Sequence, residues 1–284
     1  MICFDSHAHI VSADHERYPI APLSGELRAG DLDDPVTAER LLKMMDDNSV
    51  ERALVVQRAH IYGFNNAYVV DSAARYPDRL RAMCMVDALA PDVAAQIRHW
   101  VVERGAIAIR LTEPFKGADT SWFSSPKAME AWSTAAELKI SLRLHLYRWN
   151  RVQCLPAIVP LVKQFSTTPV VIDHLSNLSA ESGPPHHGID EALRTLAARP
   201  NVSLLFSTIN LAQLAAKNIA ASPVLERVVK TFGAHRVMWG SDIAQSKGTY
   251  REMRELADAA VENLSPSERE QVMRGTGKGM YWPA

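Results

Sequence analysis

Four histidines and one aspartate stand out by where they fall in the chain. His7 and His9 end the run ICFDSHAH, His145 closes SLRLH, His174 closes PVVIDH and Asp242 closes VMWGSD. A neutral imidazole carries one lone pair and one N–H, so it can bind a cation, accept a proton or donate to a developing charge. A carboxylate beside bound water can serve as a general base. One histidine in an apolar strand is ordinarily a satisfied core residue, but five polar groups that each close an apolar run point to a shared site. Side chains alternate along a strand, so His7 and His9 share a face and can present two imidazoles to one ion. By the same alternation Asp5 is expected on that face, deeper in and orienting a histidine, with Asp173 turned outward toward helices.

Something must bring these groups together. Eight segments rich in aliphatic and β-branched residues recur along the chain: 2–9, 52–57, 81–87, 106–112, 141–146, 170–174, 202–207 and 237–242. Stretches such as ALVVQ, AMCMVD and PVVIDH are nearly continuous in apolar residues, as expected of strands buried on both faces. Between them lie helical patterns, over 65–74 before the stop signal Tyr76-Pro77-Asp78 and over 126–138. A last helix opens at Ser265-Pro266-Ser267-Glu268, with a capping serine, proline at the first helical position and a carboxylate three residues after the cap. Alternating β and α units predict an α/β fold, a closed (β/α)8 TIM barrel formed by residues 1–284 as one domain. The named histidines and Asp242 then lie at the C-terminal strand ends, where such barrels place their chemistry. The Gly/Pro/His cluster 182–188 reads as a loop after the sixth strand, and His186 and His187 as loop residues.

The 284 residues are 47% hydrophobic with a formal net charge of -1, so there is material for a large core and no electrostatic footprint for nucleic acid or an anionic membrane. A small-molecule substrate is the expected partner, and a homo-oligomer is compatible with this composition. Cys3, Cys84 and Cys154 are odd in number and lack CxxC spacing, which argues against a disulfide framework or a zinc ribbon. No signal-peptide pattern or membrane-length apolar run is present, and a cytoplasmic location is expected.

The motifs FDSHAH, LHL, VIDH and MWGSD together resemble the amidohydrolase superfamily. Within it they are most similar to the amidohydrolase-related branch that contains 2-pyrone-4,6-dicarboxylate lactonase and sugar-acid lactonases. The resemblance extends through ALVVQ followed by Asn65-Asn66, the arginine of AIAIRL and Met280-Tyr281-Trp282, nearly the whole chain. It implies His7 and His9 as metal or substrate ligands, His145 and His174 as ligands from the fifth and sixth strands, and Asp242 as the carboxylate that takes a proton from attacking water and returns it to the leaving group. Asp242 and His174 are thus the expected catalytic groups, and His7, His9, His145 and Asp242 the expected metal set.

Departures from the family pattern narrow this. Binuclear members carry a bridging ligand at the end of the fourth strand; here Arg110 stands there, always cationic and without a lone pair. One divalent ion, zinc or manganese, or none is expected, since the lactonase branch includes enzymes that need no metal. Leu205 replaces a lysine of many relatives, and Ile243-Ala244 replaces Trp-Pro after the eighth-strand aspartate, so the substrate rim has diverged. Arg110, Arg58 and Arg148, with Arg151, fall at or just after strand ends, and guanidinium forks suit a carboxylate. Arg110, Arg58, His60 and Arg148 are the expected substrate contacts, with Tyr62 and Trp149 closing the pocket. The expected reaction is hydrolysis of a carboxylated or sugar-derived lactone by Asp-activated water. Non-oxidative decarboxylation of an aromatic or unsaturated acid competes with it, although relatives of that kind often place a carboxylate before the first-strand histidine, where this chain has an intact HAH. An inactive binding protein on the same scaffold is a third class.

Overall fold

An apolar run that buries both faces needs a layer of side chains on each side of it, and a barrel ringed by helices supplies both. In the computed structural model, which describes residues 1–283, the runs form β1 (Cys3–His9), β2 (Val50–Val56), β3 (Leu80–Met85), β4 (Ala108–Thr112), β5 (Ser141–His145), β6 (Val170–Ile172), β7 (Val202–Ser207) and β8 (Val237–Gly240). Hydrogen-bonded neighbours follow chain order from β1 to β8, all parallel. Two backbone bonds complete the ring at its C-terminal rim: the Asp242 N–H donates to the His7 carbonyl at 2.8 Å, and the His9 N–H to the Ile243 carbonyl at 3.2 Å. The expected (β/α)8 barrel is the observed one. β6 and β8 end two residues earlier than the sequence suggests, so His174 and Asp242 sit on the turns that leave those strands.

Two layers of core result. Phe4, Leu54, Met83, Ala108, Val171, Leu205 and Met238 fill the barrel interior, while Leu41, Met45, Trp132 and Phe232 pack between strands and helices. Burying each such large side chain stabilises the fold by roughly 1.5–3 kcal/mol. The capping box at Ser265 forms as expected, with the Glu268 N–H donating to Ser265 Oγ at 3.3 Å and the Ser265 N–H to Glu268 Oε2 at 2.9 Å. From that helix the chain passes through a π turn (Gln271–Gly275) into the helix Thr276–Tyr281, which carries Tyr281 beneath the barrel floor, stacked on Phe4 with ring centroids 6.5 Å apart. Among the described residues no helix is long and apolar enough to cross a membrane. All three cysteines are free and buried.

β1 does not keep strict alternation. Its pairing with β2 shifts between Asp5 and Ala8, so that three steps on β1 match two on β2. Such a bulge re-aims the residues beyond it, and Phe4 and His7 both come to face the interior. Asp5 is therefore turned outward, contrary to the expectation from the HAH spacing. Its Oδ2 accepts from Tyr250 of the helix Tyr250–Ala260 at 2.7 Å, and its Oδ1 accepts from the backbone N–H groups of His7 (3.0 Å) and Ser241 (2.9 Å). One buried carboxylate thus ties the backbone of His7 to the turn that carries Asp242. β8 contributes Gly240 at this crossing because a Cβ there would overlap the Cβ of His7.

Candidate active site

Alternation beyond the core residues brings a polar tier to the mouth. Ala108 inside the barrel puts Arg110 and Thr112 on the same side of β4; Val171 does the same for Asp173 after β6, and Met238 for Gly240 and Asp242 after β8. On β5, Arg143 and His145 share the inner face. His174 follows Asp173 and by alternation would point away. Instead, residues 174–177 all take left-handed backbone angles, with φ between 47° and 53°, and the turn swings His174 back over the mouth. Non-glycine residues adopt this conformation at a cost of about 1–2 kcal/mol each, so surrounding bonds must hold it. The Asn210 amide donates to the His174 carbonyl at 2.8 Å, and His174 Nδ1 lies 2.7 Å from Ser207 Oγ.

The four predicted histidines form a continuous row, with ring centroids 4.8 Å apart for His9 and His7, 5.1 Å for His7 and His174, and 5.2 Å for His174 and His145. Asp242 joins them: its Oδ1 lies 3.4 Å from His9 Nε2 and 3.6 Å from His7 Nε2, and those two nitrogens are 3.2 Å apart. Its Oδ2 accepts from Ser246 Oγ at 2.7 Å, which orients the carboxylate. Burial alone would raise the Asp242 pKa; the imidazoles of His9, His174 and His7 around it outweigh that and hold the group below the usual carboxylate range, ionised. Burial pushes His7 and His145 well below the ordinary histidine range, and His174 below it, so these rings are neutral at pH 7.

Two residues not assigned to the site from the sequence lie at its centre. Asp173, expected to face the helices, is instead fully buried inside, where its Oδ2 accepts from Arg110 Nε at 2.7 Å and its Oδ1 faces Arg143 Nε at 3.3 Å. Burial would raise this carboxyl, but the two guanidiniums hold it well below its ordinary value. The physical reason was present in the pattern VVIDH: Val171 and Asp173 are two residues apart, and Val171 is a core position. Arg143 was equally legible, since SLRLH places it two residues before His145 on one face.

The expected substrate contacts separate. Arg110 is almost wholly buried with its Nε committed to Asp173, and its Nη2 is 3.5 Å from His174 Nε2. Arg58 is buried near Asp242, with Nη2 donating to Asp31 Oδ1 at 2.6 Å and Nε to Gln245 Oε1 at 3.3 Å. Arg148 is exposed and lines a small hollow with Leu175, Asn210 and Lys217, beside the turn that follows His174 and outside the histidine row. Arg151 pairs with Asp190. The Tyr62 hydroxyl accepts from the Ser12 N–H, while Trp149 donates to Glu113 Oε2.

His60 is half-buried next to Arg58, and burial, followed by the charges of Arg28 and Arg58, pushes it down to about 4. The unfolded chain, with histidine near about 6.5, then binds the proton more readily than the folded one. The stability contributed by the neutral ring is complete above about pH 6.5 and is lost as pH falls toward about 4, by up to roughly 3 kcal/mol at about 1.4 kcal/mol per unit. Denaturant melts of wild type and His60→Gln over this range should therefore converge or cross as pH falls. A stability difference independent of pH would contradict this reading.

Among the described residues two groups have metal-ligand composition and spacing, His7 with His9 and Asp242, and His7 with Asp173 and His174, each with its ligand atoms within 4.8 Å of one another. The sides of the first triangle are close to the separation of about 3.4 Å expected of tetrahedral ligands at about 2.1 Å from zinc. The hydrogen bonding does not match as well as the spacing. His9 Nδ1 donates to the Val56 carbonyl at 2.7 Å, which leaves the Nε2 lone pair for the triangle. His7 Nδ1 lies 3.0 Å from Arg143 Nη1, and a guanidinium has no acceptor, so in the neutral ring the hydrogen sits on Nε2, the atom an ion would need. As wired, His7 does not fit an ion in this triangle.

Comparison with known proteins agrees with the architecture. The sequence profile of the amidohydrolase family matches residues 4–281. A solved structure described as a probable 2-pyrone-4,6-dicarboxylic acid hydrolase from Acinetobacter baumannii, with citric acid bound, superposes with a TM-score of 0.75 at 20% identity over 99% of both chains. An amidohydrolase from Burkholderia multivorans, solved with zinc bound, gives 0.72 at 19% identity, also over 99% of both. A 2,6-dihydroxybenzoate decarboxylase complexed with 2,6-dihydroxybenzoate gives 0.69 at 13% identity over 99% of this chain and 98% of that one. The uncharacterised protein y4mH of Sinorhizobium fredii is 23% identical over 160 residues, and the match spans 55% of this chain and 52% of that protein.

Proposed function

Because the chain belongs to the amidohydrolase family, we propose that it is a hydrolase that opens a lactone bearing a carboxylate, with Asp242 as general base. The observation that carries this reading is the triangle of Asp242 Oδ1, His9 Nε2 and His7 Nε2, an ionised carboxylate facing imidazole edges at 3.4–3.6 Å in the barrel mouth. Water held against Asp242 Oδ1 gives up a proton as it attacks the lactone carbonyl. The Nε2–H of His7 stabilises the oxyanion that develops, and Asp242 returns the proton to the leaving alkoxide. Ser246 keeps the other carboxylate oxygen occupied, so base strength is directed inward. Arg58, next to the site, and the remaining donors of Arg110 offer positive charge for a substrate carboxylate.

The two candidate reactions change pH in opposite senses: lactone hydrolysis near neutral pH releases a proton, whereas decarboxylation of a carboxylate consumes one and releases carbon dioxide. Purified protein screened against aldonolactones, carboxylated pyrones and hydroxylated aromatic acids, with a pH indicator and carbon dioxide detection, is the test. Acidification with one of the lactones supports the proposal. Carbon dioxide release from an aromatic acid with no lactone turnover would replace it with the decarboxylase reading.

A further inference from the structure

Arg143 is fully buried inside the barrel, and both of its terminal nitrogens donate to specific atoms. Nη1 donates to the Ser6 carbonyl at 2.9 Å and to His7 Nδ1 at 3.0 Å; Nη2 donates to the Tyr281 hydroxyl at 2.7 Å and points at Met238 Sδ at 3.8 Å; Nε faces Asp173 Oδ1 at 3.3 Å. The guanidinium is therefore braced from the floor by the C-terminal helix and delivers one hydrogen to the first-strand histidine above it. Guanidinium has no lone pair to offer in return, so His7 Nδ1 is the accepting nitrogen and Nε2 carries the hydrogen. Val56 imposes the reverse on His9, because a carbonyl can only accept from its Nδ1. The two imidazoles of HAH are thus opposite tautomers, not an equivalent pair.

A histidine that ligates a metal through Nε2 ordinarily donates its Nδ1–H to a carboxylate, carbonyl or water. Such a carboxylate is within reach: Asp173 Oδ1 is 3.7 Å from His7 Nδ1. Arg143 stands between the two wirings, since it occupies the Nδ1 lone pair and faces the same Asp173 oxygen. We infer that Arg143, braced by Tyr281, is a positioning residue that holds His7 as an Nε2–H donor and thereby withholds it from any divalent-ion site, leaving His9 and Asp242 as the lone-pair donors of the triangle. This goes beyond the lactonase reading and does not depend on which bond the enzyme breaks.

Two readouts, neither of which uses turnover, test it. Correlation of ring nitrogens with ring hydrogens by NMR, in protein labelled with 15N-histidine and with His7 assigned from His7→Gln, distinguishes the tautomers. Wild type and Arg143→Lys, whose ammonium also only donates, should show His7 protonated on Nε2. Arg143→Met removes the donor and keeps an apolar stem, so Asp173 can accept from Nδ1 and the tautomer should switch. Zinc binding, measured by competition with a chelator, should then tighten by about 10- to 100-fold in Arg143→Met relative to wild type, the range typical of partners that orient metal-bound histidines. The gain should vanish in the Arg143→Met, His7→Gln double variant. If Arg143→Met does not fold, the wild-type and lysine tautomers still decide. Wild-type His7 protonated on Nδ1, or one equivalent of zinc held as tightly by wild type as by Arg143→Met and lost in His7→Gln, would overturn the inference.

Discussion

Replacing Asp242 with asparagine should lower kcat for the true substrate by roughly 100- to 10,000-fold, the usual contribution of a general acid–base group. The loss belongs in kcat because proton transfer is made only in the transition state, whereas the hydrogen bonds that orient the group are shared with the ground state. The structure makes this substitution unusually clean. Asp242 sits at φ 59°, a left-handed conformation that asparagine tolerates as well as aspartate, and the amide oxygen can keep the bond from Ser246 Oγ. The variant should therefore fold, which circular dichroism checks before the kinetics are read. Near-normal turnover in a folded Asp242→Asn protein would remove Asp242 as the base.

The second large effect is on stability. Asp173→Asn keeps the size of the side chain but withdraws the one negative charge between Arg110 and Arg143, which are almost wholly and fully buried, respectively. Breaking a buried ion pair from one side typically costs about 3–5 kcal/mol because the remaining charge is left without compensation. With an unfolding entropy of about 2.1 cal/mol/K per residue, that corresponds to a fall in Tm of roughly 5–8 °C for this chain. Removing one cation as well, in Asp173→Asn with Arg110→Met, should cost less than the sum of the two single changes, since they share one network. A depressed carboxyl also contributes stability that is present above about pH 4 and is lost as pH falls through its folded-state value, so the gap between wild type and Asp173→Asn should narrow in acid. A Tm change under about 2 °C at neutral pH would mean that the guanidiniums find other compensation, and the network would not be the anchor of the mouth.

Much of this protein follows from its sequence alone. Runs such as ALVVQ and AMCMVD can only be buried on both faces, and eight of them separated by helical patterns leave little besides a parallel barrel; local periodicity and burial determine that much. The gathering of His7, His9, His145, His174 and Asp242 at one end follows from their common position at the exits of those runs. Which way each side chain points was another matter. The bulge in β1 turns Asp5 outward, and the left-handed turn at His174 brings that ring inward beside Asp173. Neither is marked by glycine or proline, because the first depends on pairing with β2 and the second on bonds from Ser207 on β7 and Asn210 in the helix Thr208–Ala215 that follows it. The tautomers of His7 and His9 are more distant still from the sequence. They depend on what Arg143 and the Val56 carbonyl offer across the barrel, from residues 136 and 47 positions away, and a histidine's proton follows its neighbours in space.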